Sequence, residues 1–224
     1  MKYKSVPVIT IDGPSGAGKG TIAQMLALDL SWNILDSGAL YRTLAYLMLE
    51  HKIELSDFEK NKKFIKENFM VKFDPGTVGE PVKVIFKDKD ITDKVRTEEI
   101  AKKTSDLSAD LLIREFIKPI QRKFMTLPGL VADGRDMGTV IFSDAYYKIF
   151  LTASIEERAK RRQIQLKRQG SEVNMRLLLQ ELEERDSKDM QREHSPLKPA
   201  DDSVIIDTSN MDPYGVIEEI KKYL

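Results

Sequence analysis

The stretch Gly13-Pro14-Ser15-Gly16-Ala17-Gly18-Lys19-Gly20-Thr21 constrains this chain more than any other, because a short apolar run precedes it and an amphipathic one follows. Val6 to Asp12 reads as a buried strand, and Lys19 to Leu30, with Ile22, Leu26 and Leu30 on one face, reads as the helix it feeds. Strand, glycine loop and helix in that order match the phosphate-binding pattern G-x-x-x-x-G-K-[ST] at Gly13, Gly18 and Lys19. Glycines at 13, 16, 18 and 20 allow successive backbone N–H groups to turn inward, while Lys19 and the positive end of the helix add cationic character. That geometry suits a triphosphate. Only the last position departs, with Gly20 standing where the pattern places a hydroxyl for magnesium. A glycine-rich turn without a ligand is the bland alternative, and the flanking strand and helix argue against it.

The alternation continues along the chain. Asn33 to Asp36, Leu130 to Asp133, Lys148 to Leu151 and Val204 to Asp207 are strand-like, and Ala39 to Glu50 is helical. Five short apolar runs separated by helices predict an α/β fold, with a five-stranded parallel sheet covered by helices on both faces. Two segments fall outside this order. From Phe69 to Val95, apolar residues alternate around Asp74-Pro75-Gly76 and Asp88-Lys89-Asp90, as in a small antiparallel meander inserted into the sheet domain. Ser154 to His194 reads as helical and arginine-rich, broken near Gly170-Ser171, with ten basic and nine acidic residues. The expected organisation is one unit over residues 1–224. Its core spans about 1–60, 97–153 and 195–224, with an insertion at 61–96 and a helical arm at 154–194.

Composition narrows the chemistry. With 36 basic and 36 acidic residues the formal charge is zero, so no global field draws nucleic acid or an anionic membrane, and any cationic site must be local. There is no cysteine, and two histidines, His51 and His194, are too few for a zinc cluster. Both read as solvated helix residues, and Trp32 as packing at a helix end. The first residues show no small-residue cleavage site, and no run of about 18 apolar residues follows, so a soluble cytoplasmic monomer is expected, without a membrane or a nucleic-acid polymer as partner.

Two further motifs open where strands end. Asp36-Ser37-Gly38-Ala39-Leu40-Tyr41-Arg42 begins a helix, so its N–H groups and Arg42 could grip a second anion, although Tyr41 and Arg42 read equally well as surface residues. Asp133-Gly134-Arg135-Asp136-Met137-Gly138-Thr139 follows the third strand, at the edge where open α/β sheets bind ligands. A charged surface turn is its bland reading. Arg185, Asp189 and Arg192 share a helix face, as would a plain salt-bridge stripe, and Arg158 and Arg162 are also one turn apart.

The ending Gly18-Lys19-Gly20-Thr21 resembles the nucleoside monophosphate kinase version of the loop, and D-S-G-x-x-Y-R with D-G-R-D-M-G-T resembles the bacterial cytidylate kinase family, in its longer form, over essentially the whole chain. The resemblance implies a P-loop kinase fold in which ATP donates a phosphate to CMP or dCMP. Gly13 to Thr21 would hold the donor, with magnesium kept mainly by nucleotide phosphates and water and no protein metal ligand. Lys19, Asp133, Arg135, Arg158 and Arg162 become the candidates for phosphoryl transfer, the last two as lid arginines, although Lys160 or Arg161 could serve as well. Ser37, Gly38, Tyr41, Arg42, Arg135 and Arg192 would meet the acceptor, and Arg185 and Asp189 its sugar. Asp136, Arg114 and Ser105 would read the base. Asp136 can accept from the cytosine amino group, whereas uracil would leave it facing another acceptor, a penalty of about 1–3 kcal/mol. No general base is required, because the acceptor phosphate has its second pKa near ~6. A nucleotide switch is the rival from another class, and the missing hydroxyl at Gly20 argues against it.

Overall fold

Every residue of β1 (Val8–Asp12) is buried, and from it the chain passes through the glycine loop into α1 (Lys19–Leu30), β2 (Asn33–Asp36) and α2 (Ser37–Glu50). Helix α3 (Phe58–Asn68) then precedes β3 (Val71–Asp74), β4 (Lys83–Phe86) and β5 (Lys89–Asp90). Helices α4 (Glu98–Ala109) and α5 (Leu111–Arg122) lead to β6 (Leu130–Asp133) and β7 (Tyr147–Thr152). Next come α6 (Ile155–Arg168), α7 (Met175–Met190), β8 (Val204–Asp207) and α8 (Pro213–Lys221). This computed structural model describes residues 6–168 and 174–224; the break expected at Gly170-Ser171 lies outside the described residues.

The large sheet has five strands in the order β2-β6-β1-β7-β8, all pairs parallel. With the period of two along each strand, Val8, Leu130 and Ala132 face a core shared with α2 and α5, while Ile9, Ile11, Val131 and Leu151 face one shared with α1 and α8. This is the covered parallel sheet that the apolar runs predict. Strand β1 begins two residues later than expected. Pro7 has no N–H to donate, so it contributes only its carbonyl, which accepts from Leu130 N at 3.0 Å.

The three short strands form a separate antiparallel sheet in sequence order. Its second turn falls at Lys87-Asp88, one residue earlier than the expected Asp88-Lys89-Asp90, because Lys87 and Asp88 adopt the left-handed φ values, 49° and 59°, of a two-residue hairpin. Phe69, Val84 and Phe86 pack into the same core as Leu40, Leu44 and Phe116. No helix among the described residues is long and apolar enough to cross a membrane.

Because β1 is central, Gly13 to Thr21 leaves the middle of the sheet at its carboxyl edge. Asp133 at the end of β6 lies in register with Asp36 at the end of β2 and with Ile11 of β1. The three motifs therefore meet at one edge.

Candidate active site

At the donor end, backbone geometry explains the glycines. Gly13 has φ 145°, and a Cβ there would lie 2.0 Å from the Leu151 carbonyl oxygen, so no other residue fits. Gly18, at φ 92°, sits just before α1, which has no side-chain cap and no acidic residue in its first turn. Its first N–H groups and the positive end of its dipole are therefore left for an anion. Lys19 is buried and folds back to donate to the Pro14 carbonyl at 2.8 Å. The Ser15 carbonyl accepts from Arg158 at 3.2 Å and the Ala17 carbonyl from Thr208 at 3.2 Å, which fixes the loop from outside. At Gly20, a Cβ would stand 3.5 Å from Asp133 Oδ2, so the position of the missing hydroxyl looks directly onto a carboxylate.

The second motif is built differently from its sequence reading. Asp36 caps α2 itself, accepting from Ala39 N at 2.8 Å, so one of the helix's first N–H groups is already taken. Ser37 is buried and its hydroxyl accepts from Gln121 Nε2 at 2.9 Å, while Gly38 is exposed. Arg42 donates to the Val95 carbonyl at 3.1 Å, and Tyr41 is buried, its hydroxyl pushed up to about 12 by burial.

The third motif joins the helical arm to the sheet. Arg135 Nε donates to Asp189 Oδ2 at 2.9 Å, and Arg192 pairs with the other oxygen of Asp189. Asp136 is buried against Arg114, whose Nη1 also donates to the Ser108 carbonyl at 2.9 Å. Ser105, by contrast, has an exposed side chain, and the residue between Arg114 and Arg192 is Ser108, whose hydroxyl accepts from Arg192 at 3.3 Å. Arg158 is buried and committed to Asp186, Ala153 and Ser15. Arg161 holds Thr208 beside Gly18, and Arg162 is exposed, donating to Gln165 at 2.8 Å. His194 lies beyond the end of α7, lining a cavity of about 30 Å³ beside Tyr41 and Arg114 rather than a helix face. His51 caps the end of α2 and meets the Phe64 ring edge-on at 4.8 Å. Trp32 packs on Gly129 beside the α1 core, as its sequence reading expects.

These groups form one electrostatic unit. Burial, then Arg135 and Arg185, push the Lys19 ammonium well below its ordinary range. Burial raises Asp133 well above the usual carboxylate range despite Lys19, and raises Asp12 to about 6 against the N–H groups of Gly138 and Met137. Arg185 is lowered to about 10 by burial, then by Arg135, with Arg42 and Arg162 acting in the same sense. Its side chain remains accessible to solvent although protein surrounds it, as expected for a cleft wall. Burial would raise Asp189, but Arg135 and Arg192 more than offset that and hold it low. Lys19, Arg42, Arg135, Arg162 and Arg185 thus form one chain of cations near enough to disfavour one another's charge.

Several residues of this framework carry no motif. Asp12, Gln24, Ser108, Gln121 and Asp186 take partners far away in sequence, and only their polarity within apolar or helical runs hints at them.

Comparison with known proteins agrees with this geometry. The cytidylate kinase of Pseudomonas aeruginosa is 47% identical over 219 residues, covering 98% of this chain and 95% of its own length. That of Stutzerimonas stutzeri is 48% identical over 217 residues (97% and 94%), and that of Shewanella frigidimarina 49% over 218 (97% and 95%). A family model described as cytidylate kinase matches residues 9–224, and with a phosphate loop, a chain of neighbouring cations and a buried arginine–aspartate pair at the same sheet edge, the chain belongs to the cytidylate kinase family.

Proposed function

We propose that the chain transfers the γ-phosphoryl group of ATP to the phosphate of CMP, and to dCMP as well. The observation that carries this reading is the placement, at one sheet edge, of an uncapped helix end behind the glycine loop and of a buried carboxylate–guanidinium pair suited to a cytosine edge, with Arg135 fixed beside it. Two polyanions must be brought together, and cations with preorganised N–H groups supply what the reaction needs. The glycine loop and Lys19 hold the donor phosphates. Arg135 and Arg162 face the phosphoryl group in transit, Arg42 and Arg192 hold the acceptor phosphate, and Arg185 with Asp189 orients its sugar. Asp136 accepts from the amino group of cytosine and Arg114 donates to its ring acceptors, with Ser105, exposed on α4, as a further hydroxyl for the base.

Arg158 acts by position, because its guanidinium is committed to Asp186 and to the Ser15 carbonyl of the loop. The acceptor phosphate arrives largely ionised, so no residue removes a proton from the nucleophile. Magnesium would be held mainly by the nucleotide phosphates and water, with Gly20 leaving room for them beside Asp133, and would neutralise charge on the phosphates. The arm containing α6 closes over ATP and excludes water from the γ-phosphate. An assay of ADP formation with CMP, dCMP, UMP and AMP tests the reading: CMP and dCMP should be used well and AMP hardly at all. Stronger use of UMP than CMP would defeat the base assignment, and rapid ATP hydrolysis without an acceptor would defeat the transferase assignment.

A further inference from the structure

Among the described residues six aspartates stand at the start of a helical turn; three cap it with their side chains, whereas Asp57, Asp93 and Asp136 do not. Asp36, Asp110 and Asp212 each turn their carboxylate back to cap their own helix, accepting from Ala39 N at 2.8 Å, Ile113 N at 3.0 Å and Gly215 N at 2.7 Å. Asp136 holds the same place before the wide turn Met137–Ile141, where its carbonyl accepts from Val140 N at 2.9 Å and Ile141 N at 3.1 Å. Its side chain does not cap that turn and points instead to Arg114. The first N–H groups of any helical turn have no partner within it, and buried donors must find one elsewhere. Here Asp12 supplies both acceptors from the end of β1: Oδ1 accepts from Met137 N at 2.9 Å and Oδ2 from Gly138 N at 2.7 Å. Asp12 is buried at 4% exposure. The turn lies so close to β1 that a Cβ on Gly138 would come within 2.9 Å of Thr10 Oγ1.

We propose that Asp12 is a positioning residue for base recognition: by capping the turn that Asp136 opens, it anchors that turn to β1 and holds the Asp136 carboxylate facing the nucleotide base. Without it, the buried N–H groups of Met137 and Gly138 lose their acceptors and the turn shifts from β1, withdrawing the Asp136 carboxylate from Arg114 and from the cytosine edge. Asp12 touches no substrate in this scheme. Its effect is therefore on discrimination between cytosine and uracil, which a general loss of stability would leave alone. The inference rests on the reading of Asp136 as the base acceptor.

The test is the ratio of kcat/KM for CMP to that for UMP, measured at saturating ATP on folded wild type, D12A, D136N and D12A/D136N. We expect D12A to lower the ratio about tenfold, the scale set by one buried polar pairing lost, and the double variant to discriminate no worse than D136N alone. If D136N abolishes discrimination while D12A lowers CMP and UMP turnover in equal proportion, the proposal is overturned and the base assignment stands. If D136N leaves the ratio unchanged, the base assignment itself fails and the proposal with it. Should D12A not fold, D12N, which keeps one accepting oxygen, decides the question by the same ratio.

Discussion

Arg135 shows how much one side chain carries in this cleft. Its Nε is fixed by Asp189 at 2.9 Å, and its charge bears on both Lys19 and Arg185, so in the proposed scheme it would meet the transferred phosphate already oriented. Loss of one such preorganised donor costs about a hundredfold or more in turnover. R135A should therefore lower kcat by at least that factor in a coupled assay, and near-normal kcat would remove Arg135 from the transfer step. Asp12 gives a pH signature in the unliganded protein. Folded, its carboxyl keeps a proton up to about 6; unfolded, it releases it near 3.8, so between these values the folded state binds more protons and stability falls as pH rises. Two pH units correspond to roughly 3 kcal/mol. Lys19 acts oppositely at higher pH, where the unfolded chain holds the proton that the buried ammonium has given up and stability rises. Denaturant titrations from pH 4 to 7 should show the descending limb flattened in D12N, while an unaltered slope would mean that Asp12 is ionised throughout.

At the scale of elements, the connections that organise the site run between segments with no sequence relation. Helix α7 presents Asp186 and Asp189 on one face; the first pairs with Arg158, which holds the glycine loop, and the second with Arg135 from the end of β6. One helix thus ties the donor loop to the acceptor motif. On the other side, the buried Gln24 of α1 donates its amide to the carbonyls of Pro75, Thr77 and Glu80, and so fastens the β3–β4 loop to the helix that follows the phosphate loop. Q24A leaves those carbonyls unpaired at a cost of about 1–3 kcal/mol, and residues 75–80 should exchange amide hydrogens faster while β1 does not. Equal exchange in both proteins would show that the loop is held by Val82 packing alone. Apolar period and glycine spacing reveal the strands, α1 and the phosphate loop because those signals are local. Gln24 and Asp186 stay invisible in the sequence because a polar residue on a helix reads as solvated until its partner, 28 to 56 residues away, is known. The end of α2 misleads for a related reason, since Asp36 can cap its own helix or leave it open, and only the fold decides.

Over the whole molecule the charge is zero, yet the site holds five cations whose fields disfavour one another. Arg185 is the clearest case. It forms no hydrogen bond or ion pair among the described residues, and burial with Arg135, Arg42 and Arg162 lowers it to about 10. Since solvent still reaches its side chain, the cost to the unliganded fold is discounted to on the order of 1 kcal/mol. In the proposed scheme that cost is the counterpart of function: cations set for two polyanions disfavour one another until those polyanions arrive. R185A should therefore make the unliganded protein more stable to denaturant by about that amount while lowering kcat/KM for CMP. The rise in Tm caused by millimolar pyrophosphate should shrink in the same variant, and chloride at equal ionic strength should not reproduce that rise in the wild type, because screening acts weakly inside a cleft. If R185A instead destabilises the unliganded protein, Arg185 is held by favourable contacts, and the cleft is balanced rather than strained before its substrates bind.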